Sequence, residues 1–98
     1  MGKYLYLWEI DWTKIPVDTK ERGVGFDMLM AMVKEDMKKG ITKDWGVFAG
    51  EHKGYSIVEG TEVEIMNQVQ QYTPFVRFEA HPIGSVAQVD AMIKVLTK

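Results

Sequence analysis

Arg77, Glu79 and His81 alternate along the run Phe75-Val76-Arg77-Phe78-Glu79-Ala80-His81. In an extended strand successive side chains point to opposite faces, so these three share one face and Val76, Phe78 and Ala80 share the other. A guanidinium, a carboxylate and an imidazole side by side can do recognisable chemistry. Arg77 presents a planar fork that binds a carboxylate. His81, or a Glu79 whose pKa is raised by burial, can act as acid or base near neutral pH, so these two are the candidate catalytic residues. Alternate positions lie roughly 6.5–7 Å apart, so Arg77 and Glu79 can pair or can address different parts of one ligand. The structural alternative is an Arg77–Glu79 ion pair with His81 at a solvated strand end before Pro82. No catalytic motif surrounds the triplet.

Four aromatic residues, Tyr6, Trp8, Trp45 and Tyr55, can enclose a flat apolar molecule, and together with Arg77 they form the candidate ligand-binding set. As an interface cluster they need no ligand. His52 lies in a polar connection between Glu51 and Lys53, and two isolated histidines without paired spacing give no metal site. Gly23 and Gly25 lack the Lys-Ser/Thr ending of a phosphate loop. The sequence calls for no cofactor.

Ninety-eight residues suit a single domain spanning positions 1–98. Twelve basic against fourteen acidic side chains give a formal net charge of -2, without the basic stripe that a phosphate backbone demands, so nucleic acid is not an expected partner. The absence of cysteine removes disulfides, thiolate metal sites and cysteine nucleophiles, and suits a reducing cytoplasm. Tyr4 to Ile10 is too short, and too soon followed by charge, for a signal-peptide core or a membrane span. A cytoplasmic protein with no membrane partner is expected.

Periodicity places the elements. Lys3 to Trp12 alternates as a first strand. Asp18 and Glu21 have capping-box spacing, so a helix should begin near Thr19, with a stripe of Phe26, Leu29, Met30, Val33 and Met37. Gly23 and Gly25 weaken its first turns or admit another backbone, and Gly40 suits its end. Residues 44–50 and 54–59 flank a short connection as a hairpin. Thr61 with Glu64 opens a second helix carrying Ile65, Met66, Val69 and Tyr72. Pro74 restarts extended chain to about Pro82, and Ser85 with Gln88 caps a last helix with the stripe Val86, Val89, Ile93 and Leu96.

Strand, helix, hairpin, helix, strand is the order of the ferredoxin-like βαββαβ plan, an α+β antiparallel sheet with helices on one face, here with an added C-terminal helix. If Val76 and Phe78 pack on the helices, the Arg77 face looks outward, and Tyr4, Tyr6, Trp8 and Trp45 are expected on that uncovered face too. An apolar uncovered face calls for a partner sheet. In Trp45-Gly46 through Gly50, in Gly54-Tyr55-Ser56-Ile57-Val58-Glu59-Gly60 and in Tyr72 through Pro82, the chain resembles the dimeric α/β-barrel superfamily, and within it a family of small uncharacterised bacterial and archaeal domains. That superfamily contains muconolactone-isomerase-like enzymes, cofactor-independent monooxygenases, haem-degrading enzymes and amino-acid-sensing domains. No residue set here matches their catalytic sets, so the resemblance implies a fold and a pairing habit. The expectation is a homodimer that binds a small organic ligand in an aromatic pocket on the sheet face at the dimer interface. The alternatives are a cofactor-independent isomerase or monooxygenase-like enzyme and a structural dimerisation module.

Overall fold

The computed structural model describes residues 2–98. Its order is β1 (Gly2–Ile10), a 3-10 turn (Trp12–Lys14), α1 (Thr19–Lys38), β2 (Thr42–Val47), β3 (Lys53–Gly60), α2 (Glu62–Tyr72), β4 (Val76–Ile83) and α3 (Val86–Leu96). The strands form one antiparallel open sheet in the order β2-β3-β1-β4. This α+β arrangement is compatible with a ferredoxin-like plan.

The helix signals work as local chemistry says they should. Asp18 caps α1 by accepting the Glu21 N–H at 3.0 Å. Gly23 and Gly25 do not delay the helix, and a Cβ at either would meet open space, so no backbone approaches them. At the far end Gly40 takes φ of 80°. Its N–H reaches the Met37 carbonyl and the Ile41 N–H reaches the Asp36 carbonyl, both at 3.0 Å, the paired bonds that close a helix through a left-handed residue. Thr61 with Glu64, and Ser85 with Gln88, form reciprocal capping boxes at α2 and α3.

Register decides the faces. Tyr6 sits opposite Ser56 and Ala80, and Trp8 opposite Gly54 and Phe78, whereas Leu5 and Leu7 sit opposite Ile57, Tyr55, His81 and Glu79. Tyr6, Trp8 and Phe78 face the helices, as the burial of Tyr6 and Trp8 requires. The expectation that Tyr6, Trp8 and Trp45 share the uncovered face with Arg77 is therefore corrected. The bulky aromatics fill the space between sheet and helices, and the shorter Leu5 and Leu7 face out. Trp45 joins them because a register shift between Thr42 and Asp44 resets the parity of β2, placing Trp45 opposite Ser56.

The two helices cover the sheet unequally. Under α2, Tyr6, Val58 and Ile65 form the core, with Tyr4, Val69 and Phe78 packed against it. Tyr6 and Tyr72 both meet the Phe78 ring edge-on, at 5.1 and 5.7 Å between centroids, a favoured aromatic geometry. By contrast, only Val33 and Asp36 of the 20 residues in α1 are buried. α1 stands off the sheet, and the space beneath it becomes the cavity described next. Among the described residues α3 covers no other element, since every residue from Glu79 to Lys98 is exposed.

Candidate functional site

Between α1 and the sheet lies a cavity of about 290 Å³. Phe26, Leu29, Met30 and Val33 of α1 roof it, and Tyr6, Trp8, Trp45 and Phe78 form its floor. Trp8 and Trp45 stack there, with centroids 5.3 Å apart and planes 12° from parallel. The Trp8 indole N–H donates to the Tyr55 carbonyl at 3.1 Å, which fixes the ring. Gly54 is required beneath it, because a Cβ would overlap the indole and the Gly46 carbonyl. The exposed side chains Val47, Glu51 and His52 mark the mouth. His52 is exposed, as expected for a hairpin loop, but its ring also meets Trp12 edge-on at 4.0 Å. Its carbonyl accepts the Ile10 N–H at 3.0 Å.

The inner end of the cavity is polar. Gln68 is its hub: the amide nitrogen donates to Asp36 Oδ2 at 3.2 Å and to Thr42 Oγ1 at 3.0 Å, and the amide oxygen accepts from Tyr6 at 3.0 Å. Tyr72 donates to the same Asp36 oxygen at 2.8 Å. One network thus joins β1, α1, β2 and α2, and among the described residues no buried side-chain polar atom lacks a partner. Burial, and next the Asp36 carboxylate, push the Tyr6 phenol up to about 12. Burial also raises Tyr72, with the hydrogen bond to Asp36 adding to it. Both phenols therefore remain protonated donors at neutral pH. Their hydrogens point into the network, so what they retain towards the cavity is acceptor capacity, while the Thr42 hydroxyl, already an acceptor, keeps its proton to donate.

The Arg77 face lies on the other side of the sheet. Arg77 does not pair with Glu79: its Nη2 lies 3.5 Å from Asp11 Oδ2. The Asp11 carboxyl is held below its usual value first by the Thr13 hydroxyl and N–H, with Arg77 adding to them. Glu79 meets His81 instead, Oε2 to Nε2 at 3.2 Å, with both side chains more than half exposed. Tyr55 also faces this way and donates to Asp44 Oδ2 at 2.8 Å, which raises the phenol's pKa. A shallow groove of about 400 Å³ runs past Leu7, Glu9, Phe48, Lys53, Arg77 and Glu79. The structure thus gathers Tyr6, Trp8 and Trp45 into one cavity and leaves Tyr55, Arg77, Glu79 and His81 outside it.

Asp36, Thr42 and Gln68 do not stand out as candidates in the sequence, yet a signal for two of them exists. Asp36 stands three residues after Val33 on the apolar stripe of α1, and Gln68 stands three after Ile65 and four before Tyr72 on the stripe of α2. A polar residue on a core-facing stripe implies a partner inside. Met37, expected on the α1 stripe, is 45% exposed, whereas Asp36 beside it is 1% exposed.

Among the described residues, no group of three His, Cys, Asp or Glu side chains is placed to hold a metal ion, and no helix is long and apolar enough to cross a membrane. No protein-family model matches the chain, and no curated protein matches it.

Proposed function

We propose that this chain binds a small, uncharged, largely apolar ring compound in the cavity between α1 and the sheet. The observation that carries this reading is the Trp8–Trp45 stack lining a mainly apolar cavity whose inner end is polar, with capacity left on Tyr6, Tyr72 and Thr42 for a ligand. A volume near 290 Å³ lies at the lower limit of the ~300–1,000 Å³ typical of ligand sites, which suits a small ligand. Among the described residues no guanidinium or ammonium group lines it, so a carboxylate would lose its hydration with no such cation in return. This favours a hydroxyl-bearing or N–H-bearing ring, which can donate to the Tyr6 and Tyr72 oxygens, over the anion that Arg77 would hold.

Tryptophan fluorescence tests this directly. Titration with 1-naphthol, indole and 1-naphthoate should quench Trp8 and Trp45 with the two neutral compounds and much less with the carboxylate. Val33→Trp should fill the cavity and abolish the response. Equal binding by Val33→Trp and the parent chain, or a preference for 1-naphthoate, would exclude the cavity as the site.

The same reading takes the fold as ferredoxin-like with an added helix, supported by the βαββαβ order and by the central places of β1 and β3. It takes the open sheet face as the surface through which two copies pair. Leu7, Phe48 and Ile83 are exposed there. The charges around them are largely matched within the face, Lys53 with Glu9 at 3.3 Å and Lys3 and Lys43 with Glu59 at 3.6 and 3.7 Å. Helices cover only one side of this sheet, and a half-apolar second side calls for another layer.

A further inference from the structure

α3 is an 11-residue helix with both ends capped or closed by hydrogen bonds and no buried residue. Val86, Val89, Met92, Ile93, Val95 and Leu96 all stand exposed on it. Val89, Ile93 and Leu96 repeat at spacings of four and three, the stripe of a helix that packs on something. A helix this short does not hold itself together in water, where ~12–15 residues are marginal even for favourable sequences. Something outside its own subunit must cover it.

The size of the uncovered surface says how much. The chain exposes 7065 Å², whereas a compact monomer of its mass exposes about 5,700 Å². Its radius of gyration is 16.4 Å, against about 13 Å for a compact domain of this length. The excess, roughly 1,400 Å², exceeds the ~800 Å² per partner that a standard interface buries. β4 stays paired with β1 as far as Ile83 opposite Lys3, and only Gly84 and Ser85 precede the helix. α3 is therefore launched past the end of its own sheet.

We infer that α3 is an exchange arm that packs its apolar stripe on a second copy of this chain, flanking the paired open sheet faces. This rests on the sheet pairing proposed above and extends it to the C-terminal helix. A second copy fits better than a foreign partner for two reasons. α3 carries one acidic and one basic side chain, Asp90 and Lys94, so it has no charge bias towards a nucleic acid or an acidic surface. The chain also exposes a second apolar surface, the open sheet face, and a two-fold contact covers both surfaces of both copies at once.

Sedimentation velocity on the full chain tests the arm. The parent chain should be a dimer. Ile93→Glu combined with Leu96→Glu should raise the dimer dissociation constant at least ~100-fold, because charge is placed in the centre of the contact, while the tryptophan emission spectrum stays that of the parent. Leu96→Gln repeats the test with a milder change and a smaller shift in the same direction. Leu7→Lys probes the sheet pairing separately. If the α3 variants keep the parent's dimer constant while Leu7→Lys loses it, the arm is overturned and the sheet pairing stands. If the α3 variants dissociate and Leu7→Lys does not, the arm stands without the sheet contact. A parent chain that is monomeric at ~100 µM, well above the dissociation constants of standard interfaces, overturns both.

Discussion

The two faces of one sheet carry polar groups under opposite conditions. On the helix side, Asp36, Thr42, Gln68, Tyr6 and Tyr72 are buried and hydrogen-bond one another in one network. On the open side of the single chain, Arg77, Glu79 and His81 are exposed and form pairs that solvent can replace. Low dielectric and lost hydration make every missing hydrogen bond expensive in the first setting. In the second, exposed ion pairs contribute between nothing and about 1 kcal/mol. The richest array of charged chemistry in the sequence is thus energetically the less consequential one. The network around Gln68 holds α1 and α2 to the sheet and so keeps the cavity open between them.

Asp36→Ala should separate the two faces most. It leaves the Tyr72 hydroxyl without its acceptor and the Gln68 amide nitrogen with Thr42 alone, and urea denaturation should show a loss of about 3 kcal/mol. A loss below about 1 kcal/mol would mean that water replaces the carboxylate, and the contrast between the faces would disappear.

Gly54→Ala attacks the cavity floor through geometry alone. Its methyl group would overlap the Trp8 indole and a rigid backbone carbonyl. The expected cost is about 2 kcal/mol, with a red-shifted Trp8 emission as the ring is displaced. An unshifted spectrum would show that β2 and β3 can part locally to admit the methyl.

Tyr6→Phe should cost about 1 kcal/mol by leaving the Gln68 oxygen unpaired, and it carries a pH signature. An unfolded tyrosine ionises near pH ~10, whereas folded Tyr6 does so at about 12. Because the folded pKa is the higher one, the contribution of Tyr6 is fully present below pH ~10 and is lost progressively as pH rises towards its folded value. Stability curves of the parent chain and Tyr6→Phe should converge across that window. Parallel curves would place Tyr6 in water.

Smallest are the open-face changes. Glu79→Ala and Arg77→Ala should each alter stability by no more than about 0.5 kcal/mol. Asp11 gives this face its own pH dependence with the opposite sign. Its folded pKa lies below the unfolded one, so its contribution is present above the ordinary carboxylate range and is lost as pH falls through the folded value. Asp11→Asn should flatten the acid limb of the stability curve, and an unchanged limb would remove Asp11 from it.

The order of elements was legible because caps and periodicity are local. Asp18, Thr61 and Ser85 open the helices where the sequence places them, and Gly40 closes α1. In β4 the alternation separates Val76 and Phe78 from Arg77, Glu79 and His81, and pairing of Phe78 with buried Trp8 puts the apolar set on the helix side. The parity of β1 was not legible. Tyr4, Tyr6, Trp8 and Ile10 alternate with Leu5 and Leu7, so both faces of β1 look apolar, and nothing in the strand itself says which faces the helices. For α1, a single-position rotation separates an inward Met37 from an inward Asp36.

By itself, then, the sequence determined the order of strands and helices, where each helix begins, which side of β4 is apolar, and that α3 carries an apolar stripe. These follow from residue spacing within one element. Only the tertiary structure decided that Tyr6, Trp8 and Trp45 lie on the face opposite the Arg77 triplet, that Asp36 and Gln68 meet across 32 residues of sequence, and that α3 stays exposed along its whole length. Those outcomes depend on the register between strands and on how far each helix stands from the sheet, and both are set by side chains distant in the chain competing for the same volume.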